Sequence, residues 1–235
     1  MKFSEKFFSF IYPHKCSFCH KGINYENNTF ICDNCASSLP FIKGKKCIRC
    51  NKPIPPYSLD ECYTCRNYKY SFLASYTPLL YKNSVRASLL GMKFYNKESF
   101  TRSYAYLICD YIISQDYPLF DFITYVPLSP SSYKKRGYNQ SALIAKWCGE
   151  HLNTEVIPTL RRIDGTPKQS ALSFRERRKN VRKSFFPTDK KLSGTALLID
   201  DIYTTGATVD YCSSLLLKMG CEKVYIAAVA LKENY

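Results

Sequence analysis

Within ALLIDDIYTTGAT, residues 196–208, an apolar run without alternation delivers two adjacent carboxylates into a short loop of hydroxyls and glycine. Few architectures accept that order. An apolar run lacking a period of two suits a strand covered on both faces, the habit of parallel sheets. Asp200 and Asp201 then stand at its carboxyl end, where open α/β sheets place ligands. Thr204, Thr205, Gly206, Ala207 and Thr208 follow. They can turn backbone N–H groups inward at the start of a helix over residues 209–219, whose dipole favours an anion. Carboxylates accept hydrogen bonds from hydroxyls and repel phosphates, so the acidic pair suits sugar 2′ and 3′ hydroxyls and the loop a 5′-phosphate. A Walker loop needs a G-K-[ST] ending that is missing here, and the dinucleotide fingerprint places its glycines before its acid. Paired aspartates also suit Mg²⁺.

The surrounding pattern agrees. Residues 72–81 read as extended chain, Ser84 can cap a helix through Lys93, and residues 100–113 carry apolar side chains at helical spacing. Strands are expected at 122–126, 156–160, 196–199 and 224–230, with helices starting near Asn139, Ser173 and Thr208. Such alternation predicts a doubly wound parallel sheet.

Cysteine usage marks off the first 70 residues. Eight of the twelve cysteines form four C-x-x-C pairs: Cys16/Cys19, Cys32/Cys35, Cys47/Cys50 and Cys62/Cys65. One such turn brings two thiolates onto a metal, and two turns complete a tetrahedral four-thiolate site, so four pairs make two Zn²⁺ sites. Sequential pairing gives a double zinc ribbon; crossed pairing is equally compatible with the spacing. Haem attachment at Cys19-His20 is disfavoured because the other pairs lack the histidine. A unit this small folds on metal more than on a core. Two domains are therefore expected, 1–70 and 71–235, with the linker at 67–71. Cys109, Cys148, Cys212 and Cys221 read as buried hydrophobes.

With 34 basic against 19 acidic residues the chain carries +15, or about +11 once two tetrathiolate zinc sites are counted. That excess favours polyanionic partners. The densest basic run spans 161–183, where Arg175, Arg178, Lys179 and Arg182 share a face on a helix and suit a single-stranded nucleic-acid backbone. No stretch approaches the roughly 20 apolar residues of a membrane span. The start of the chain reads as a short amphipathic helix, with Phe3, Phe7, Phe10 and Ile11 on one face and Pro13 as its stop, rather than as a secretory signal. A cytoplasmic location is expected.

Acid-acid, two residues, then Thr-Thr-Gly-x-Thr resembles the PRPP-binding loop of type I phosphoribosyltransferases. YVPLSPSSYKKRGYNQS (125–141), PKQSALSFRERRKNVRKSF (167–185) and that loop, behind four C-x-x-C pairs, resemble the ComF family of competence-associated proteins over nearly the whole chain. The resemblance implies an α/β phosphoribosyltransferase-type sheet with a zinc-ribbon domain at its N-terminus. It gives Asp200 and Asp201 to the ribose, the backbone of Leu128 and Ser129 to pyrophosphate, and Tyr138, Asn139 and Gln140 to the family signature. Gln169, Leu172, Glu176, Arg177 and Asn180 match its second motif. Lys134, Lys135 and Arg136 are expected to close over pyrophosphate as a mobile basic loop. PRPP with Mg²⁺, single-stranded DNA and a helicase-like translocase are the implied ligands and partners, and DNA uptake in natural transformation the implied role. A metabolic phosphoribosyltransferase acting on a small acceptor is the rival reading, with the zinc domain standing where such enzymes carry their hood.

Overall fold

The computed structural model describes residues 14–23, 29–95, 98–164 and 181–233. The cysteine-rich segment holds two short helices, α1 (Asp33–Ser38) and α2 (Tyr63–Asn67). After it come β1 (Ser75–Tyr76), β2 (Leu79–Leu80), α3 (Asn83–Tyr95), α4 (Glu98–Ile113) and β3 (Phe122–Tyr125). Next are α5 (Pro130–Arg136), α6 (Gln140–Leu152), β4 (Leu160–Arg162) and β5 (Phe185–Pro187). The chain closes on β6 (Thr195–Tyr203), α7 (Ala207–Lys218) and β7 (Lys223–Leu231).

The main sheet is parallel, in the order β1-β7-β6-β3, with β2 also paired to β7. Successive residues of its central strands enter different cores. Leu197 and Ile199 of β6 join α4 and α6 on one face, whereas Ala196 and Leu198 join Val209, Cys212 and Leu216 of α7 on the other. An apolar run without alternation thus reflects burial on both faces, as the sequence predicts.

The two cysteine-rich halves divide between the same faces. Cys16, Phe18, Ile31 and Cys35 belong to the α4/α6 core, and Cys47, Cys50 and Cys65 to the α7 core. The chain joining them runs along the sheet edge: Phe41 forms an antiparallel bridge to Leu79, and Ile42 N–H donates to Pro78 O at 2.9 Å. That contact covers an edge that would otherwise offer free backbone groups.

Three expectations shift. The 156–160 strand is reduced to a single parallel bridge between Val156 and Ile123, and β4 pairs antiparallel with β5 outside the main sheet. Pro158 has no N–H to extend a ladder between them. The strand placed at 196–199 runs on to Tyr203, in register with β7 as far as Leu231. Residues 134–136 are helical rather than an open loop. Pro130 starts α5, the Ser129 hydroxyl accepts from Ser132 N–H, and Gly137, at φ 79°, caps the end by donating to Tyr133 O. Proline at the first position with glycine just past the last is a helix signature that outweighs the run of like charge. The N-terminal amphipathic helix and the helix from Ser173 lie outside the described residues.

Candidate functional site

Each C-x-x-C pair sits on a local structure that explains its spacing. Cys16 N–H donates to Lys21 O at 2.8 Å and His20 N–H to Cys16 O at 2.9 Å. Cys47 N–H to Lys52 O at 2.8 Å and Asn51 N–H to Cys47 O at 2.9 Å repeat the turn. His20 and Asn51 both take a positive φ, 63° and 60°, which closes it. The second pair of each half lies at a helix start, Cys32 and Cys62 being N-caps of α1 and α2 with Cys35 and Cys65 buried one turn on. Two equivalent units are thus built in series.

The thiols gather as two clusters, Cys16-Cys19-Cys32-Cys35 and Cys47-Cys50-Cys62-Cys65, with the sulfur atoms of each within 4.8 Å of one another. This is sequential pairing, and four thiols at that spacing suit structural Zn²⁺. The other four cysteines are buried. Burial pushes the Cys212 and Cys221 thiols up, and a hydrogen bond with Cys109 does the same for Cys148, so none of these three has the character of a nucleophile.

At the carboxyl edge of the sheet a cleft of about 580 Å³ opens between β6, the residues after β3, and α5–α6. Asp200 and Asp201 border it, with Thr204, Thr208, Leu128 and Arg136. Both acids lie inside β6 rather than beyond it, opposite the Ala228 stretch of β7. Asp200 Oδ1 accepts from Asp201 N–H at 2.8 Å and from the Ser141 hydroxyl at 3.3 Å, which fixes its carboxylate. Gly206 (φ 77°) turns the chain into α7 as its N-cap. An α-helix start of this kind presents free N–H groups to an anion.

Of the remaining expected residues, Ser129 spends its hydroxyl capping α5, Lys134 lines an adjoining cavity, and Lys135 is exposed. Thr205, Gly206 and Ala207 are not among the residues that border the cleft, and Thr205 Oγ1 accepts from Ala207 N–H at 3.4 Å. Asn139 caps α6, accepting from Ser141 and Ala142 N–H, while its amide donates to Val126 O at 3.1 Å. The Tyr138 hydroxyl donates to Met92 O. Arg182 is exposed and lies near Asp210 and Tyr68. Arg175, Arg178 and Lys179, with the motif residues Gln169, Leu172, Glu176, Arg177 and Asn180, fall outside the described residues.

Two cleft residues carry more than the sequence assigns them. Gln140 is 1% exposed, its Oε1 accepts from Arg136 Nη1 at 3.3 Å, and its amide nitrogen has no partner. Arg162 also borders the cleft with an unpartnered buried Nε, and its guanidinium stands over the Phe185 ring at 4.9 Å. Burial lowers its pKa and Asp200 acts against that shift. Buried donors without acceptors are rare in folded proteins, and two around one cleft suit an anionic or oxygen-rich ligand. In the sequence Arg162 is hidden inside a basic run.

Fold and clusters together define an α/β protein whose parallel sheet carries paired tetracysteine metal ribbons at its N-terminus. The double zinc ribbon domain family matches residues 7–66. The DNA utilization protein YhgH of Salmonella typhi is 29% identical over 227 residues, covering 90% of this chain and 87% of that one. Competence protein F of Haemophilus influenzae is 27% identical over 226 residues (86% and 96%), and Competence protein ComFC of Streptococcus pneumoniae 25% over 201 (84% and 86%). Over most of its length the chain is thus similar to competence proteins of the ComF/ComFC kind, and its N-terminal part to double zinc ribbons. Among the described residues no helix is long and apolar enough to cross a membrane.

Proposed function

We propose that this chain holds PRPP or a related ribose phosphate, with Mg²⁺, in the cleft at the carboxyl edge of its sheet, and binds single-stranded DNA in the service of DNA uptake during natural transformation. The observation that carries the reading is the gathering of Asp200, Asp201, Thr204 and Thr208 around one cleft with Arg136 and Arg162. The acidic pair faces sugar hydroxyls, the start of α7 receives the 5′-phosphate, and the two guanidiniums and the Gln140 amide answer the pyrophosphate oxygens. Two adjacent carboxylates are oxygen donors of the kind Mg²⁺ takes, and the ion would offset the charge of the diphosphate. Should transfer occur, the C1′–oxygen bond breaks, pyrophosphate keeps the electron pair, and the acceptor forms the new bond at C1′.

The DNA part of the reading is supported by what the relatives are called, DNA utilization and competence proteins, and by the chain's +15 charge. A translocase of helicase type is the partner such a role requires. The protein acts in the cytoplasm, where eight metal-binding thiols stay reduced. One observation favours a second reading, a phosphoribosyltransferase for a small acceptor. A cavity of about 590 Å³ adjoins the cleft across Pro127 and Leu128, and its lining includes Tyr125, Tyr133 and Tyr138, suited to a planar group.

Calorimetric titration of PRPP and Mg²⁺ into the zinc-loaded protein tests the reading, with Asp200→Asn/Asp201→Asn as control and both repeated with an oligonucleotide bound. Binding lost in the variant supports the site; absence of binding in the wild type overturns it. Release of pyrophosphate with a small acceptor but not with DNA would favour the second reading.

A further inference from the structure

The segment leaving the second ribbon is fastened to the phosphate loop. Asp210, 5% exposed in the first turn of α7, accepts from Ser71 N–H at 2.7 Å and from the Tyr68 hydroxyl at 2.8 Å. The Tyr70 hydroxyl donates to Thr205 O at 3.2 Å, and Tyr70 and Tyr203 are both buried against the loop. Gly206 lies so close to both rings that a Cβ there would stand 2.5 Å from the Tyr203 oxygen and 3.1 Å from Tyr70. Cys47, Cys50, Cys65, Tyr70, Tyr203 and Val209 share one buried cluster. Residues 67–71 therefore act as a fixed strut between the Cys62/Cys65 metal ligands and the loop.

We propose that Asp210 and residues 68–71 position the 204–208 loop, and that through them metal occupancy of Cys47-Cys50-Cys62-Cys65 is coupled to ligand occupancy of the cleft. The clamp stands on its own contacts; the coupling rests on the ribose-phosphate reading. A ribbon this small keeps its shape only while its thiolates share a metal. Once the metal leaves, Tyr68 and Ser71 lose their fixed starting point and a buried carboxylate loses two donors, which is costly enough to draw α7 and the loop away. Coupling of this kind is reciprocal, so a ligand that holds the loop must hold the metal. The first ribbon packs on the opposite face, where the Ser17 backbone accepts from Ser88 at 2.5 Å and its side chain bonds Ser103 at 2.7 Å. Only one of the two metals should respond.

The experiment uses the full zinc-loaded chain as wild type, Asp210→Asn and Tyr70→Phe, the last keeping the ring should the first fold poorly. Hydrogen exchange at amides 204–210, without ligand, is expected to quicken about tenfold or more in Asp210→Asn and less in Tyr70→Phe, with 14–23 unchanged. Equal protection in all three proteins overturns the clamp. Zinc release to a chromophoric chelator is then followed with and without PRPP and Mg²⁺. One of the two ions should leave several-fold more slowly with PRPP in the wild type, and neither variant should show that retardation. PRPP that binds the wild type without slowing either ion overturns the coupling. PRPP that fails to bind at all overturns the ribose-phosphate reading and the coupling with it, and the exchange measurement still decides the clamp.

Discussion

Replacing Gly206 by alanine, with Gly137→Ala as its partner, isolates the cost of crowding the 204–208 loop. Both glycines are left-handed, at φ 77° and 79°, so both substitutions carry the same backbone penalty of about 1–2 kcal/mol and the same gain from a stiffer unfolded chain. Their surroundings differ. A Cβ at 137 meets nothing within 4 Å, whereas one at 206 meets the Tyr203 oxygen at 2.5 Å, its ring carbon at 2.9 Å and the Tyr70 ring at 3.1 Å. Tyr203 is 2% exposed and Tyr70 8%, so neither ring can swing into solvent. Forcing a methyl into such a place typically costs about 1–3 kcal/mol, the expected excess of Gly206→Ala over Gly137→Ala. In a chain of 235 residues that excess lowers Tm by about 2–12 °C. Denaturant unfolding at saturating zinc, with m unchanged, measures it directly. Equal losses in the two variants would refute the steric argument and with it the idea that the loop rests on these rings.

Three further outcomes follow from the site. Metal analysis of the purified protein should find two zinc ions per chain, and Cys47→Ser should lower that to one; loss of both would mean that the clusters are not independent. Arg162→Met should weaken PRPP binding about tenfold or more while leaving stability nearly intact, since a half-buried guanidinium whose buried Nε lacks a partner is replaced by an apolar chain of similar length beside Phe185. Equal affinity would remove Arg162 from the ligand site. Binding of single-stranded DNA should fall linearly in log–log salt with a slope of about −0.7 per phosphate neutralised, and Arg182→Ala should shallow that slope by about one phosphate. A slope near zero would rule out a backbone-tracking surface.

Much of this molecule is written in short-range pattern. Four C-x-x-C pairs suffice for two tetrathiolate clusters because each pair needs only its own turn or helix start. The apolar run before Asp200 suffices for a strand buried on both faces, and the acid-acid-x-x-Thr-Thr-Gly order for its place at the carboxyl edge of the sheet. Legibility ends where a partner lies far along the chain. Pairing of the thiols in sequence, the shortening of the 156–160 strand at Pro158 and the helical state of Lys134 to Arg136 are settled by competition between neighbouring segments. The place of Arg162 beside the cleft was invisible in a run of like charge because its position in the fold, not its residue type, distinguishes it. Asp210 is the clearest case. As a sequence letter it is an ordinary acid in the first turn of a helix, and only the folded chain brings Tyr68 and Ser71, some 140 positions earlier, to its carboxylate. Local spacing specifies the metal ligands and the loop; the choice of what braces that loop belongs to tertiary structure, because a hydrogen bond to a buried charge gains its strength only after the core has excluded water.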